Sequence, residues 1–266
     1  MKLQKTLSSK KFIKLYPNAK INLGLLIKGK RPDGYHLLET LFIPVPDLRD
    51  ELIISASPEE GCKLEIEGIK LDGTPEDNLC YKAYLLLKEA VPDMSGVRLW
   101  LKKNIPAGAG LGGGSSDAAA TLLGINQFLE LGLSSESLAQ MGEKLGADVP
   151  FFIYNKPLIA RGIGTDFEDY VLPHNFTIKL ITPPIHSSTI ATYKALDASM
   201  FDPSRELKNL LASPAEQWKD LLPNDLEVPV FGIYPELAQI KQSLYDEGAF
   251  YAAMSGSGSA VFGLFM

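Results

Sequence analysis

One stretch carries the strongest chemical signal in the chain: Pro106-Ala107-Gly108-Ala109-Gly110-Leu111-Gly112-Gly113-Gly114-Ser115-Ser116-Asp117-Ala118-Ala119-Ala120. Glycine reaches positive φ and lets the backbone approach a ligand with no Cβ in the way. A helix that starts at Ser115 aims its free N–H groups back into the loop, and those amides with the positive end of the helix dipole suit an anion. The loop contains no lysine, so its backbone must hold most of that anion. The three alanines after Asp117 keep the first helical turn narrow. A flexible linker is the competing reading, but linkers are not framed by a strand-like run (Val97 to Leu101) and an apolar helix (Ala118 to Leu131).

The spacing alone does not name the owner of such a loop. Gly108, Gly110 and Gly113 fit G-x-G-x-x-G, a weak signal by itself. The dinucleotide form wants an acidic residue ending a second strand about 20 residues on. Glu130 has that spacing but lies in a helical pattern. A Walker A loop ends in Gly-Lys-Ser/Thr, and here Gly114 is followed by Ser115. The lysine strand, His-Arg-Asp and Asp-Phe-Gly of the protein kinases are missing from the sequence.

Other residues offer chemistry singly. Lys20 and Asn22 share one face of a strand over Ala19 to Ile27, because strand side chains alternate with period two. Read alone, they are a solvated lysine and an edge residue. Arg31-Pro32-Asp33-Gly34 is a strong turn signal that delivers Tyr35 and His36 to the next strand. The pair offers an aromatic face and a ring hydrogen bond to a planar ligand, or is simply turn-flanking surface. Lys102-Lys103 precede the loop and either neutralise phosphate at its edge or end a strand in solvent. Asp148, in Leu145-Gly146-Ala147-Asp148-Val149-Pro150, reads equally as a turn residue.

The elements that must position these residues follow from pattern. Strands are expected over Phe12 to Tyr16, His36 to Ile43, Glu51 to Ala56, Lys63 to Glu67, Phe151 to Tyr154, Phe176 to Ile181, Ala249 to Met254 and Ala260 to Phe265. Helices are expected over Asn78 to Ala90 with Asp77 as N-cap, from the loop to about Leu131 where Gly132 stops it, from Ser135 to about Leu145, over Ile190 to Leu196 capped by Ser188 or Thr189, around Asp202 to Leu211, and over Pro235 to Asp246. Pro223-Asn224-Asp225 is a turn able to cap a short helix. The segment Asn155 to Tyr170 is rich in turn residues, and the domain boundary is placed there, giving domains 1–157 and 158–266.

Composition narrows the function classes. At 266 residues the chain accommodates one large domain or two smaller ones. The net charge of −6 with no basic stripe argues against nucleic acid as the main partner. No apolar run nears the ~20 residues of a membrane span. The four lysines within Met1 to Lys11, without an apolar core, read as a frayed lead-in rather than a secretory signal. Cys62 and Cys80 lack metal-ligand spacing and read as reduced structural thiols of a cytoplasmic protein. With three histidines in all, a zinc site would fall mostly to carboxylates, against the preference of that metal.

Taken jointly, three motifs in order resemble the GHMP small-molecule kinases: Pro17 to Leu25, the loop Pro106 to Ala119, and Met254-Ser255-Gly256-Ser257-Gly258. Within the family the sequence is most similar to the members that phosphorylate a cytidine-diphosphate-linked methylerythritol in the non-mevalonate isoprenoid pathway. The stretches that carry this are Ala19-Lys20-Ile21-Asn22-Leu23, Arg31 to His36, Gly110 to Asp117 and Leu145 to Pro150. The resemblance covers nearly the whole chain. It implies an α+β, two-domain fold, with an N-terminal ATP-binding α/β domain, a smaller ferredoxin-like C-terminal substrate domain, and the active site in the cleft.

It also implies roles for individual residues. Lys20 and Asp148 match the catalytic pair, Asp148 as base and Lys20 as the cation that keeps it ionised. Pro106 through Ser116, with Asn78 and Lys103, match the ATP side. Asn22, Tyr35, His36, Thr189 and Tyr193 match the substrate pocket, Tyr35 and Tyr193 facing the cytosine and His36 bonding its polar edge. ATP and Mg²⁺ are the implied cofactors, the metal carried largely by phosphates and water. A small-molecule substrate is the implied partner, with no membrane. Many relatives continue past the closing strand into a helical tail, so the smaller domain is expected to be trimmed at one edge. The alternatives are a family kinase for another small alcohol, or a non-catalytic nucleotide-binding protein on the same fold.

Overall fold

A computed structural model describes residues 11–197 and 201–266. All but the last residue of the lysine-bearing lead-in lies outside the described residues. In chain order the elements are β1 (Phe12–Leu15), β2 (Asn18–Lys30), β3 (His36–Arg49), β4 (Glu51–Ala56), β5 (Cys62–Gly68), α1 (Leu79–Ala90), β6 (Val97–Lys103), α2 (Gly113–Phe128), α3 (Ser135–Glu143), α4 (Val149–Tyr154), β7 (Leu158–Gly162), β8 (Asp166–Asp169), β9 (Thr177–Ile181), α5 (Thr189–Lys194), α6 (Leu207–Leu211), α7 (Trp218–Leu221), α8 (Glu227–Ile233), α9 (Pro235–Asp246), β10 (Tyr251–Met254) and β11 (Val261–Phe265). The content is mixed α+β, as expected.

The described residues form two compact units made of interleaved segments. The first holds the residues up to Asn18, Pro46–Ile105 and Gly113–Tyr154, and the second holds Ala19–Val45, Pro106–Gly112 and Asn155–Met266.

In the first unit a four-stranded sheet has the order β1-β4-β6-β5, with β5 and β6 parallel and the other pairs antiparallel. Register places Leu52 opposite Leu101 and Ile54 opposite Leu99. Burial alternates along β6, so Val97, Leu99, Leu101 and Lys103 share the covered face, as period two requires. Helix α2 crosses close over this sheet at Gly124, where a Cβ would meet Ile54 Cδ1 at 2.5 Å and Leu15 Cδ1 at 2.6 Å. Three expectations shift here. Asn78, not Asp77, caps α1, its Oδ1 accepting from Cys80 N–H at 2.8 Å, while Asp77 closes the preceding short turn with Thr74. Helix α2 starts two residues early, at Gly113, and ends at Phe128, before Glu130 and Gly132 turn to positive φ. The run Phe151 to Tyr154, expected as a strand, is the helix α4. A short apolar run cannot be told from a buried helical turn by periodicity, Pro150 is tolerated in a first turn, and Val149 through Ile153 are all buried.

The second unit contains a four-stranded sheet of order β2-β3-β7-β8 and a three-stranded antiparallel sheet of order β10-β11-β9. The hairpin β7–β8 occupies the segment read as turns. Its Gly162 and Gly164 have positive φ, and Gly164 N–H donates to Arg161 O at 3.0 Å. The helical pattern around Asp202 to Leu211 reduces to α6 among the described residues. A core of Leu25, Ile27, Leu226, Val230, Leu237, Leu244, Met254 and Val261 joins β2, α8, α9 and the C-terminal sheet.

Gly24 lies in β2 at φ 67°, where a Cβ would meet Leu222 Cδ1 at 2.6 Å and Leu207 Cδ1 at 2.7 Å. Gly24→Ala is expected to cost about 2–4 kcal/mol, from left-handed backbone and overpacking together. An unchanged urea midpoint would contradict this.

Candidate active site

The glycine loop, Pro106–Gly112, is held within the second unit by its own backbone. Gly108, Gly110 and Gly112 take φ of 66°, 74° and 69°. Ala260 N–H donates to Ala109 O at 3.1 Å, Ser255 Oγ to Gly110 O at 2.9 Å, and Lys20 N–H to Leu111 O at 3.0 Å. A Cβ on Gly110 would collide with the carbonyl oxygen of Ser255. Glycine is therefore required twice there, for the left-handed φ and for the close approach of the two chains.

Lys20 and Asn22 lie on β2 and are almost fully buried, with 4% and 3% exposure. They begin a directed chain of hydrogen bonds. Lys20 Nζ donates to Asn22 Oδ1 at 2.6 Å, Asn22 Nδ2 donates to Thr40 Oγ1 at 3.0 Å, and Thr40 donates to Gly24 O at 2.6 Å. The chain fixes which way the Asn22 amide points. The Lys20 ammonium also lies 5.0 Å from the centroid of the Phe42 ring. Thr40 and Phe42 sit two apart on β3, so the same alternation that pairs Lys20 with Asn22 places their supports. The C-terminal turn closes on this group: a Cβ on Gly256 would lie 3.1 Å from Asn22 Oδ1 and 3.6 Å from Lys20 Nζ.

Asn224 positions that turn. Its Nδ2 donates to Met254 O at 2.8 Å and Gly256 O at 2.9 Å, and its Oδ1 accepts from Leu226 N–H at 3.0 Å. Beside it, Asp225 accepts from Ile27 N–H at 2.7 Å and is clasped by Arg205. Buried Glu227 accepts from Met254 N–H at 2.8 Å and from Lys241 at 2.6 Å. None of Thr40, Asn224, Asp225 and Glu227 was a sequence candidate. A Pro-Asn-Asp cluster signals a turn, and nothing local says that the turn is buried.

The turn at Arg31 to Gly34 forms as read, Gly34 N–H donating to Arg31 O at 3.0 Å. Tyr35 is 63% exposed. His36 is half-buried against Tyr193, ring centroids 5.1 Å apart and tilted by 31°, with Phe201 edge-on at 5.8 Å. Burial, with a smaller contribution from Lys30, lowers the His36 pKa from the ordinary imidazole value. A depressed histidine pKa favours the neutral ring, so His36 stays neutral at pH 7 and charges only in more acid solution. Thr189 Oγ1 lies 2.8 Å from Ser257 Oγ, and Ser188 Oγ caps α5 by accepting from Ala191 N–H at 3.3 Å.

The remaining candidates belong to the first unit and gather at the start of α2. A Cβ on Gly114 would meet Leu79, next to Asn78, at 3.6 Å, and one on Gly146 would meet the Ser115 hydroxyl at 3.9 Å. The segment leading to Asp148 thus runs past the first turn of α2. Asp148 is half-buried and immediately precedes α4. Ser116 is buried.

Lys103 does not end its strand in solvent. It is 3% exposed, and its ammonium donates to Asp117 at 2.6 Å and to Asp50. Asp50 Oδ1 also accepts from the backbone N–H of Asn104 and, at 2.8 Å, of Ile105. Burial works against the ammonium, but Asp117 and Asp50 outweigh it and hold its pKa above the ordinary lysine value. Burial raises the Asp117 carboxyl well above the ordinary aspartate value, opposed by Lys103. Its Oδ1 is buried without a hydrogen-bond partner. The triad ties the end of β6 to the first turn of α2, the two ends of the glycine loop.

Burial also pushes the Cys62 thiol up to about 12 and raises that of Cys80, so neither is a ready nucleophile. Among the described residues no three His, Cys, Asp or Glu side chains are grouped to hold a metal, and no helix is long and apolar enough to cross a membrane.

Comparison with known proteins adds to this geometry. The model described as GHMP kinases N terminal domain matches residues 78–156, and the one described as GHMP kinases C terminal matches 206–265. A 4-diphosphocytidyl-2-C-methyl-D-erythritol kinase of Bacteroides fragilis is 46% identical over 253 residues, covering 94% of this chain and 91% of its own. A crystal structure of 4-(cytidine 5'-diphospho)-2C-methyl-D-erythritol kinase superposes with TM-score 0.82 at 36% identity, covering 95% of this chain and 90% of that one. Homoserine kinase from Cytophaga hutchinsonii, 20% identical with TM-score 0.71 and covering 97% of this chain and 86% of its own, shares the fold.

Replacing Lys103 by Met leaves two buried carboxyls without their cation. The expected loss is about 3–5 kcal/mol of unfolding free energy, read by urea denaturation. Unchanged stability would mean that the ammonium does not hold the triad.

Proposed function

The chain belongs to the GHMP kinase family, and from that premise we propose that it transfers the γ-phosphoryl group of ATP to the 2-hydroxyl of 4-diphosphocytidyl-2-C-methyl-D-erythritol. It is a small-molecule kinase with ATP as co-substrate. The observation that carries the choice of acceptor is the 46% identity, over 94% of the chain, to a relative named for that substrate.

The site residues take roles that suit their chemistry. Asp148 accepts the proton of the acceptor hydroxyl as its oxygen attacks the γ-phosphorus and ADP leaves. Lys20 supplies fixed positive charge for the reacting groups, and Asn22, its amide oriented by Thr40, holds the acceptor near the reacting end. Most of the rate comes from positioning and electrostatics, as phosphoryl transfer requires. Loop residues Pro106 through Gly114, with Ser115, Ser116 and Asn78, serve the ATP phosphates and nucleoside. Lys103 serves that side through the triad that fixes the start of α2.

Tyr35, His36 and Tyr193 hold the cytidine, and Thr189 completes the substrate pocket. A neutral imidazole carries one donor and one acceptor nitrogen, which suits the mixed polar edge of cytosine, and the lowered pKa of His36 supports that state. Mg²⁺ is assigned to the ATP phosphates and water rather than to a set of side chains. A cytoplasmic location belongs to the same reading, supported by two free thiols. So does the division into domains 1–157 and 158–266, supported by family-model matches that lie on either side of it.

The test is ADP release with Mg-ATP and four acceptors: the cytidine-diphosphate methylerythritol, mevalonate, homoserine and galactose. Turnover is expected with the first alone. Asp148→Asn is expected to lower kcat by about 10²–10⁴ while leaving ADP binding intact. Near-full turnover by the Asn variant would remove Asp148 from the base role. Turnover with another acceptor would discard the cytidine reading.

A further inference from the structure

His186 was no sequence candidate, and the roles above leave it unused. Hydrogen bonds along its segment hold it within the second unit. Ser259 Oγ donates to Ile185 O, Tyr234 OH donates to His186 O at 3.3 Å, and Thr189 Oγ1 lies 2.8 Å from Ser257 Oγ. Ser187 is buried with its Oγ 3.4 Å from Thr192 Oγ1. The His186 side chain is nevertheless exposed. Its ring lies on the glycine loop, where a Cβ on Gly108 would collide with Cε1 and Nδ1 and would stand 3.6 Å from Nε2.

The location matters because of what the acceptor must span. Its base end belongs to His36 and Tyr193, and its reacting end to Lys20 and Asn22. Within the second unit a run of contacts links these ends: Tyr193 and Thr189 share α5, Thr189 meets Ser257, and Gly256 lies against Asn22. A diphosphate joins the two ends of the acceptor, and His186 stands three residues before Thr189, with its ring on Gly108. The loop has no lysine, so an imidazole N–H is a side-chain donor placed beside otherwise neutral backbone.

We propose that His186 is a contact residue for the diphosphate of the cytidylylated acceptor, its imidazole N–H donating to a phosphate oxygen. This rests on the kinase reading above. ATP also carries phosphates, so the experiment separates the two ligands. His186→Phe keeps a planar ring on Gly108 and removes the donor, whereas His186→Gln keeps an N–H. CDP and ADP binding are measured separately by calorimetry, beside the KM for each substrate.

His186→Phe is expected to weaken CDP binding and raise the acceptor KM about tenfold, the loss of one hydrogen bond to a charged group. ADP affinity, the ATP KM and the melting temperature stay unchanged, and His186→Gln recovers part of the CDP affinity. A loss confined to ADP would assign the contact to the nucleotide and overturn the proposal. Unchanged binding of both by His186→Phe, beside an active wild type, would make the ring a packing residue and overturn this inference alone. A wild type that neither binds CDP nor turns over the cytidylylated acceptor would overturn the kinase reading and this inference with it.

Discussion

The hydrogen bonds that pin the backbone of Ala109, Gly110 and Leu111 are the constraint on which the rest of the site depends. For a loop without a lysine the means of holding an anion are amide dipoles, and dipoles act only where they are aimed. Aim therefore has to come from the backbone's own partners. Here they are Ala260, Ser255 and Lys20, from two segments far apart in the sequence. The collision that a Cβ on Gly110 would have with Ser255 shows how close the packing is. The C-terminal turn is thus part of the glycine loop in physical terms, and Asn224, which holds that turn by two carbonyls, supports both.

Two buried lysines illustrate how differently one residue type can be used. Lys103 continues the apolar face of β6 after Val97, Leu99 and Leu101. A strand of fixed period turns that position inward whatever the side chain, and an ammonium there needs counter-charge. Asp50 and Asp117 supply it, and they bind together the strand before the loop and the helix after it. Lys20 is as deeply buried, and its ammonium donates to the Asn22 amide oxygen and lies over the Phe42 ring. Asn22 passes the bond on to Thr40, so this ammonium heads an oriented polar chain, where that of Lys103 braces two elements.

Local chemistry made part of this legible from sequence. Strand β4 and helix α9 run over the ranges read from their patterns, because alternation and an N-terminal proline fixed their ends. The turn before Tyr35, the Ser188 cap and the shared face of Lys20 and Asn22 are likewise local. What escaped was long-range. The run Phe-Phe-Ile-Tyr carries no period that separates strand from helix, and its surroundings made it α4. The hairpin of β7 and β8 hid in turn-rich sequence because short strands gain their identity from the partner, here β3. Thr40, Asn224 and Asp50 have ordinary sequence neighbours, and only the fold shows what they hold.

The same distinction explains why a family resemblance spoke to function sooner than single residues did. Each motif alone had a plain structural reading, and the lysines show that such a reading can fail. Lys103 could have ended its strand in solvent, and it is a buried brace. The lone strand lysine at 20 offered a solvated surface, and it became the head of an oriented polar chain. A side chain's role is set by the groups that compensate its charge, and those groups lie 14 and 53 residues away for Lys103. Motif order along the chain carries that long-range information, because it is inherited together with the fold that brings the partners into place.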